Sequence, residues 1–249
     1  MRKEILTLIA GLTMSTMALG AENGSYGLGL GLGLGSSLYK GAETKAYPVP
    51  MLDVDYNDFY IKGIEIGYRF YENTPVSLDV FLDPLSGYGV KGNDLGKGYD
   101  NIDERKPQVM VGLAVNYDPR FEGAIVRASV MGGENGAKSK LSLLRPIVID
   151  PTLVIVPGIH ANFYSADFVD YYFGVTTDEA IKNKHIDKSY SPNSGYSLGL
   201  GFALEKKLTA KVSLMSFASI EKFSDEITDS PIVDKSYVLV AGVGAKYFF

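Results

Sequence analysis

The chain has 249 residues, 46% of them hydrophobic, with 28 glycines, 17 tyrosines and no cysteine. A formal net charge of −5 excludes a large cationic footprint for nucleic acid. Without a thiol there is no disulfide framework, thiolate zinc site or lipidated cysteine, and the length suits one large all-β domain.

At the N-terminus Arg2 and Lys3 precede a largely apolar, charge-free stretch from Ile5 to Leu19, and Ala18-Leu19-Gly20 forms a small-x-small site. The stretch is about 15 residues long, short of the about 20 that a helix needs to span a bilayer. Residues 1–20 therefore read as a cleaved signal peptide, with a single mature domain over 21–249 beginning at Ala21 or Glu22. No later apolar run has helical length, so the mature chain can cross a membrane only as strands.

From Tyr26 the sequence alternates Tyr26, Leu28, Leu30, Leu32 and Leu34 with glycines 27 to 35. Successive strand residues face opposite ways, so one face is apolar and the other has almost no side chains. Further strands are predicted at 63–70, 76–82, 108–117, 121–131, 141–149, 153–163, 196–205, 211–223 and 237–249. Many reach the 9 to 11 residues of a membrane-barrel span, whereas soluble strands average 5 to 6. Aromatics gather at strand ends (Tyr26, Tyr39, Tyr68, Phe70, Tyr117, Phe121, Phe163, Tyr196, Phe223), as in interfacial girdles. The last strand places Tyr237, Leu239, Ala241, Val243, Ala245, Tyr247 and Phe249 on one face. Its aromatic end resembles the signal read by the outer-membrane assembly machinery, with Tyr247 and Phe249 as the signal residues.

Short links at 72–75, 118–120, 150–151 and 206–209 read as periplasmic turns, and polar stretches at 85–106, 132–138, 164–194 and 224–236 as external loops. The predicted fold is a transmembrane antiparallel up-and-down β-barrel. Residues 39–62 leave the strand count open, because Pro48 and Pro50 cannot donate to a ladder and the alternation slips phase around Lys62-Gly63. Ten strands result if that stretch is an external hairpin, which is the favoured count, and twelve if it spans twice.

Candidate chemistry is sparse. The N-terminal glycines lie inside one strand, not between a strand and a helix as nucleotide binding requires. His160 falls on a lumen face and His185 in a loop, neither with an evident metal partner. No nucleophile sits in an elbow or triad pattern, so no enzyme, cofactor or metal is predicted. Glu65, Arg69, Asp79, Arg127 and Glu205 point inward, where they can pair and fill the lumen. Thr176 and Glu179 have the spacing of a helix capping box.

Several segments together resemble the MipA/OmpV family of outer-membrane proteins: Tyr39-Lys40-Gly41, Pro48-Val49-Pro50, Phe59-Tyr60, Asp103-Glu104-Arg105-Lys106, Pro157-Gly158 and Glu179-Ala180. Its most specific parts are Tyr171-Tyr172-Phe173-Gly174-Val175 and Asp229, Ser230, Pro231 and Val233 with Ile232 between them. The resemblance spans essentially the mature chain. It implies an outer-membrane location and a non-enzymatic scaffold for peptidoglycan remodelling, with a murein transglycosylase and a murein synthase as partners, and it supplies no catalytic residue. Lipopolysaccharide and phospholipid would surround such a barrel. The alternatives are a small channel for solutes or antibiotics, or an adhesin acting through the external loops.

Overall fold

The computed structural model describes residues 25–119 and 123–249. The expected signal peptide at 1–20, and Phe121 at the start of one expected strand, lie outside the described residues.

The strands, in chain order, are β1 (Ser25–Gly35), β2 (Lys45–Pro50), β3 (Asp53–Tyr56), β4 (Phe59–Lys62), β5 (Glu65–Asn73), β6 (Val76–Ser86) and β7 (Gln108–Tyr117). They continue as β8 (Ile125–Gly133), β9 (Gly136–Leu144), β10 (Ile147–Asp150), β11 (Leu153–Tyr164), β12 (Gly195–Lys207), β13 (Val212–Phe223) and β14 (Tyr237–Phe248). All form one antiparallel sheet, and β1 closes it against β14 from Gly27↔Phe248 to Gly35↔Val240. Strands β2 and β3 share one wall position, both against β1. Strands β9 and β10 share another against β11, broken at Arg145-Pro146. The 14 strands thus fill the 12 positions of a closed barrel.

The count is twelve, not the favoured ten, because residues 39–62 span twice. The prolines do not prevent this. The Met51 N–H donates to the Gly29 carbonyl at 3.0 Å, so the alternate residues Tyr47 and Val49 also turn their N–H groups to β1. Pro48 and Pro50 point their ring nitrogens the other way, where no donor is needed. The phase slip at Lys62-Gly63 is a hairpin turn between β4 and β5, with Gly63 at a φ of 63°, a left-handed conformation that favours glycine.

One end of the barrel carries tight connections: between Tyr56 and Phe59, Asn73 and Val76, Asp150 and Leu153, and Lys207 and Val212; β7 also hands over to β8 at this end. The other end carries the long ones: 36–44, 87–107, 165–194 and 224–236. These hold helices α1 (Ala166–Phe173), α2 (Thr177–Lys182) and α3 (Asp225–Thr228). The expected loop at 132–138 is instead a tight hairpin in which Gly133 pairs with Gly136.

Leu28, Leu30, Leu32, Leu34, Val111, Leu113, Leu200 and Val243 are all exposed on the outer wall. A continuous apolar belt of this kind is suited to hydrocarbon, and among the described residues no helix is long and apolar enough to cross a membrane. Aromatic pairs mark the turn end of the belt: Tyr26 with Tyr56, Phe59 with Tyr68, and Tyr247 with Phe249, at ring separations of 6.4, 4.8 and 5.1 Å. Two expected girdle residues belong elsewhere. Tyr39 and Phe223 are each 3% exposed and pack in the core beneath the loops, since Tyr39 lies on the 36–44 connection and Phe223 faces inward beside Glu221.

Candidate functional site

The functional candidates are the interior of the barrel and the cap over its loop end. The interior is polar and internally paired. Arg127 of β8 reaches Glu65 of β5 at 2.9 Å and Asp79 of β6 at 3.1 Å. The Tyr60 hydroxyl donates to Glu65 at 3.0 Å and the Asn116 amide to Asp79 at 2.7 Å. A second group lies lower, where the buried Lys246 ammonium sits 3.0 Å from Asp53 and 3.5 Å from Glu205. Lys62 adds a 2.6 Å bond to Asp53, and Arg69 pairs with Asp55. All five inward charges expected from the alternation therefore sit in ion pairs, which is what makes their burial tolerable.

The third group spans β11 to β13. Glu221 accepts from the Asn162 amide at 2.8 Å and from the Ser197 hydroxyl, with His160 Nε2 3.9 Å away. The imidazole lies over Gly199, where an added Cβ would fall 2.2 Å from a ring carbon. The glycine face of β1 is covered in the same way: Lys246, Met51 and Tyr47 lie against Gly29, Gly31 and Gly33. The glycines thus admit neighbouring side chains close against the wall. His185, in the cap, packs on Tyr99 at 5.5 Å. Among the described residues, no three His, Cys, Asp or Glu side chains are placed to hold a metal ion.

Above this interior the connections fold into a single aromatic cap. Helix α1 begins at Ser165, whose hydroxyl accepts from the Phe168 N–H, and buries Phe168, Val169, Tyr172 and Phe173. The singled-out segment 171–175 runs from this helix into its C-cap. Tyr171 accepts from the Lys106 N–H, and the Tyr172 hydroxyl donates to the Lys106 carbonyl at 3.0 Å. Phe173 stacks on Tyr39, Gly174 offers its carbonyl to Arg105, and Val175 bridges to Tyr190. In the second segment Asp229 caps α3 and is exposed, and Pro231 is half-buried. Ser230 is buried and donates to the Phe173 carbonyl at 2.6 Å. Val233 bridges back to Tyr39, whose hydroxyl donates to the Tyr88 carbonyl at 2.6 Å. Burial pushes that Tyr39 phenol well above its usual range.

Thr176 and Glu179 form the capping box of α2, and Glu179 does more than cap. It accepts the Asp103 N–H at 2.9 Å and pairs with Arg105 at 2.8 Å, tying 87–107 to α2. Burial alone would raise its carboxyl, but the Thr176 and Asp103 bonds and Arg105 hold it below the usual range. Helix α1 itself was missed in the sequence, although Ser165 and the apolar pair Phe168/Tyr172 are its signal. Lys246 was also passed over, being one lysine inside an apolar strand. At the turn end, Tyr247 and Phe249 stand exposed, and the Phe249 N–H donates to the Tyr26 carbonyl at 3.1 Å.

The family described as MltA-interacting protein MipA matches residues 28–249. The chain belongs to that family. Among its relatives, a 24 kDa outer membrane protein of Pasteurella multocida is 30% identical, over 99% of this chain and 98% of its own length. The MltA-interacting protein of Escherichia coli (strain K12) is 27% identical, over 97% and 98%. Outer membrane protein OmpV of Vibrio cholerae is 26% identical, over 77% and 74%. Among solved structures, the NanC porin superposes with a TM-score of 0.50, covering 88% of this chain and 98% of that one at 6% identity. That likeness shows a common barrel fold. The family and the relatives named as outer membrane proteins place this protein in the outer membrane.

Proposed function

We propose that the protein is a non-enzymatic outer-membrane scaffold that helps coordinate peptidoglycan synthesis and remodelling by binding murein enzymes, a transglycosylase foremost. The observation that carries this reading is the near full-length match to a relative named MltA-interacting protein. The geometry supports it over a channel. Ion pairs cross between strands on the inner surface, and the aromatic cap is packed with fully buried side chains such as Phe168, Tyr172 and Phe173.

A murein enzyme works in the periplasm, so its contact surface is the tight-turn end. Its short connections offer little of the about 800 Å² per partner of a standard interface, which favours a transient contact made by turns and lower wall together. Photo-crosslinking residues placed at Asn57, Asp118 and Thr209, followed by mass spectrometry, test this in cells. Capture of a transglycosylase or synthase from these positions, and not from Asp178 in the cap, is expected. Capture from neither end would overturn the reading.

A further inference from the structure

The barrel closes around its circumference, but its backbone ladder is interrupted locally between β2 and the upper part of β6. Strands β4 and β5 turn back at Gly63-Ile64, and β6 is paired on its β5 side only as far as Leu82, opposite Ile66. On the other flank β2 pairs with β1 alone. Above the Gly63 turn, among the described residues, no backbone hydrogen bond joins β2 to the upper part of β6. Pro48 and Pro50 direct their nitrogens to this side, and Pro84 stands across it at a bulge in β6. An unmade N–H in hydrocarbon costs several kcal/mol, and the prolines on β2 remove two such donors. A Cβ on Gly63 would meet nothing within 4 Å. The lipid-side border is apolar throughout: Ala46, Pro48, Pro50, Ile64, Ile66, Leu82 and Pro84. At the loop end the notch is spanned by Lys45 and Asp94, 2.9 Å apart.

On the inner side of the wall, Tyr47 of β2 and Met51 just after it lie against Gly33 and Gly31 of β1 and are 8% and 5% exposed. The Tyr47 hydroxyl has no hydrogen-bond partner among the described residues. A buried, unsatisfied donor is costly unless a ligand supplies an acceptor.

We infer that this notch is a side portal in the outer-membrane wall that admits the acyl chain of a surrounding lipid to the inner face of β2, with the ester or hydroxyl group at the head of that chain accepting from Tyr47. The occupant follows from continuity. The apolar border of the notch is part of the lipid-facing belt of Leu30, Leu32 and Leu34, so bilayer hydrocarbon is what meets the gap. This inference stands independently of the scaffold reading and assigns the barrel a lipid contact that reaches inside its wall.

The chain contains no tryptophan, so a single introduced indole reports its own surroundings. Tyr47→Trp would be refolded into bilayers whose phospholipids carry bromine on the acyl chains, beside Leu32→Trp on the lipid face. The control is Val240→Trp, on the inner face of β14 and laddered on both sides to Gly35 and Ser219. The portal predicts quenching at Tyr47→Trp approaching that of Leu32→Trp and well above that of Val240→Trp. Equal, weak quenching at both inner positions would overturn it. If Tyr47→Trp does not fold, as judged by heat-modifiable gel mobility, Met51→Trp on the same face carries the same expectation.

Discussion

Ser230 donates its hydroxyl to the carbonyl of Phe173 at 2.6 Å, across 57 residues of chain, and through that bond the loop before the last strand is fastened to the helix that caps the barrel. Both groups are buried. Ser230→Ala leaves the carbonyl without that partner, a loss of about 1–3 kcal/mol. The cap should become sensitive to limited proteolysis within 165–194 and 224–236, while heat-modifiable mobility of the barrel stays as in the parent.

Glu179 makes the cap sensitive to acid. Its folded carboxyl titrates below the unfolded value of 4.5, so its contribution is fully present above that value. It is lost as pH falls through about 4.5 and on through the depressed folded value. Proteolysis or hydrogen exchange of 87–107 and α2 should therefore accelerate below about pH 4.5 and not between pH 5 and 8. Glu179→Gln should show the acid behaviour at neutral pH, with a cost of roughly 1.5–3 kcal/mol for the weakened charged bonds to Arg105.

The interior cluster predicts a reversal. Removing the cation alone, in Arg127→Met, strands Glu65 and Asp79 in the wall and should cost about 3–5 kcal/mol. The triple variant Arg127→Met, Glu65→Gln, Asp79→Asn should recover much of it, since the strong coupling lies between the charges. Urea unfolding in detergent micelles measures both. Additive losses in the triple variant would mean that the residues matter for packing and not for charge balance.

The two faces of the wall can be separated by one substitution type. Leu200→Arg or Val243→Arg, mid-height on the outer face, should cost about 2–4 kcal/mol. Ser219→Arg, on the inner face two residues from Glu221, should cost much less. Gly199 and Gly242 are poor inner-face sites for such a comparison, because His160 and Phe217 occupy the space a side chain would need.

At the turn end, deleting Phe249 removes the ring that packs against Tyr247 and the N–H bonded to Tyr26. The expected outcome is poor delivery: chain accumulating in the periplasm and degraded there, with Tyr247→Ser, Phe249→Ser behaving alike. Fractionation followed by immunoblotting checks it, and normal outer-membrane levels of both variants would count against a role for these two residues as the assembly signal.

Period-two alternation made most of the wall legible in the sequence, because a lipid-facing side chain and a lumen-facing side chain have opposite chemistry at every step. It failed where strands break. Residues 45–56 carry their prolines on an unpaired edge, and 59–62 is too short to show a period, so two spans were hidden and the count came out low. The inward charges were visible as polar residues in apolar strands, yet their partners were not. Arg127 meets Glu65 only because three strand pairings bring β5 and β8 onto one inner surface. The cap was least legible. Its order rests on contacts such as Ser230 with Phe173 and Arg105 with Glu179, whose geometry no local pattern encodes.

The seam between β1 and β14 has a consequence for the order of events in folding. Leu28 finds its partner Tyr247 only from the far end of the chain, so the glycine-rich first strand has no β14 partner until the last strand is in place. Contacts of such long sequence separation are slow to form because the intervening loop must first be closed. Through that interval a stripe of leucines and an open ladder stand ready to aggregate. The newly exported chain should therefore depend on periplasmic holding factors for longer than a hairpin-by-hairpin assembly would require, with its exposure ending abruptly when Phe248 reaches Gly27.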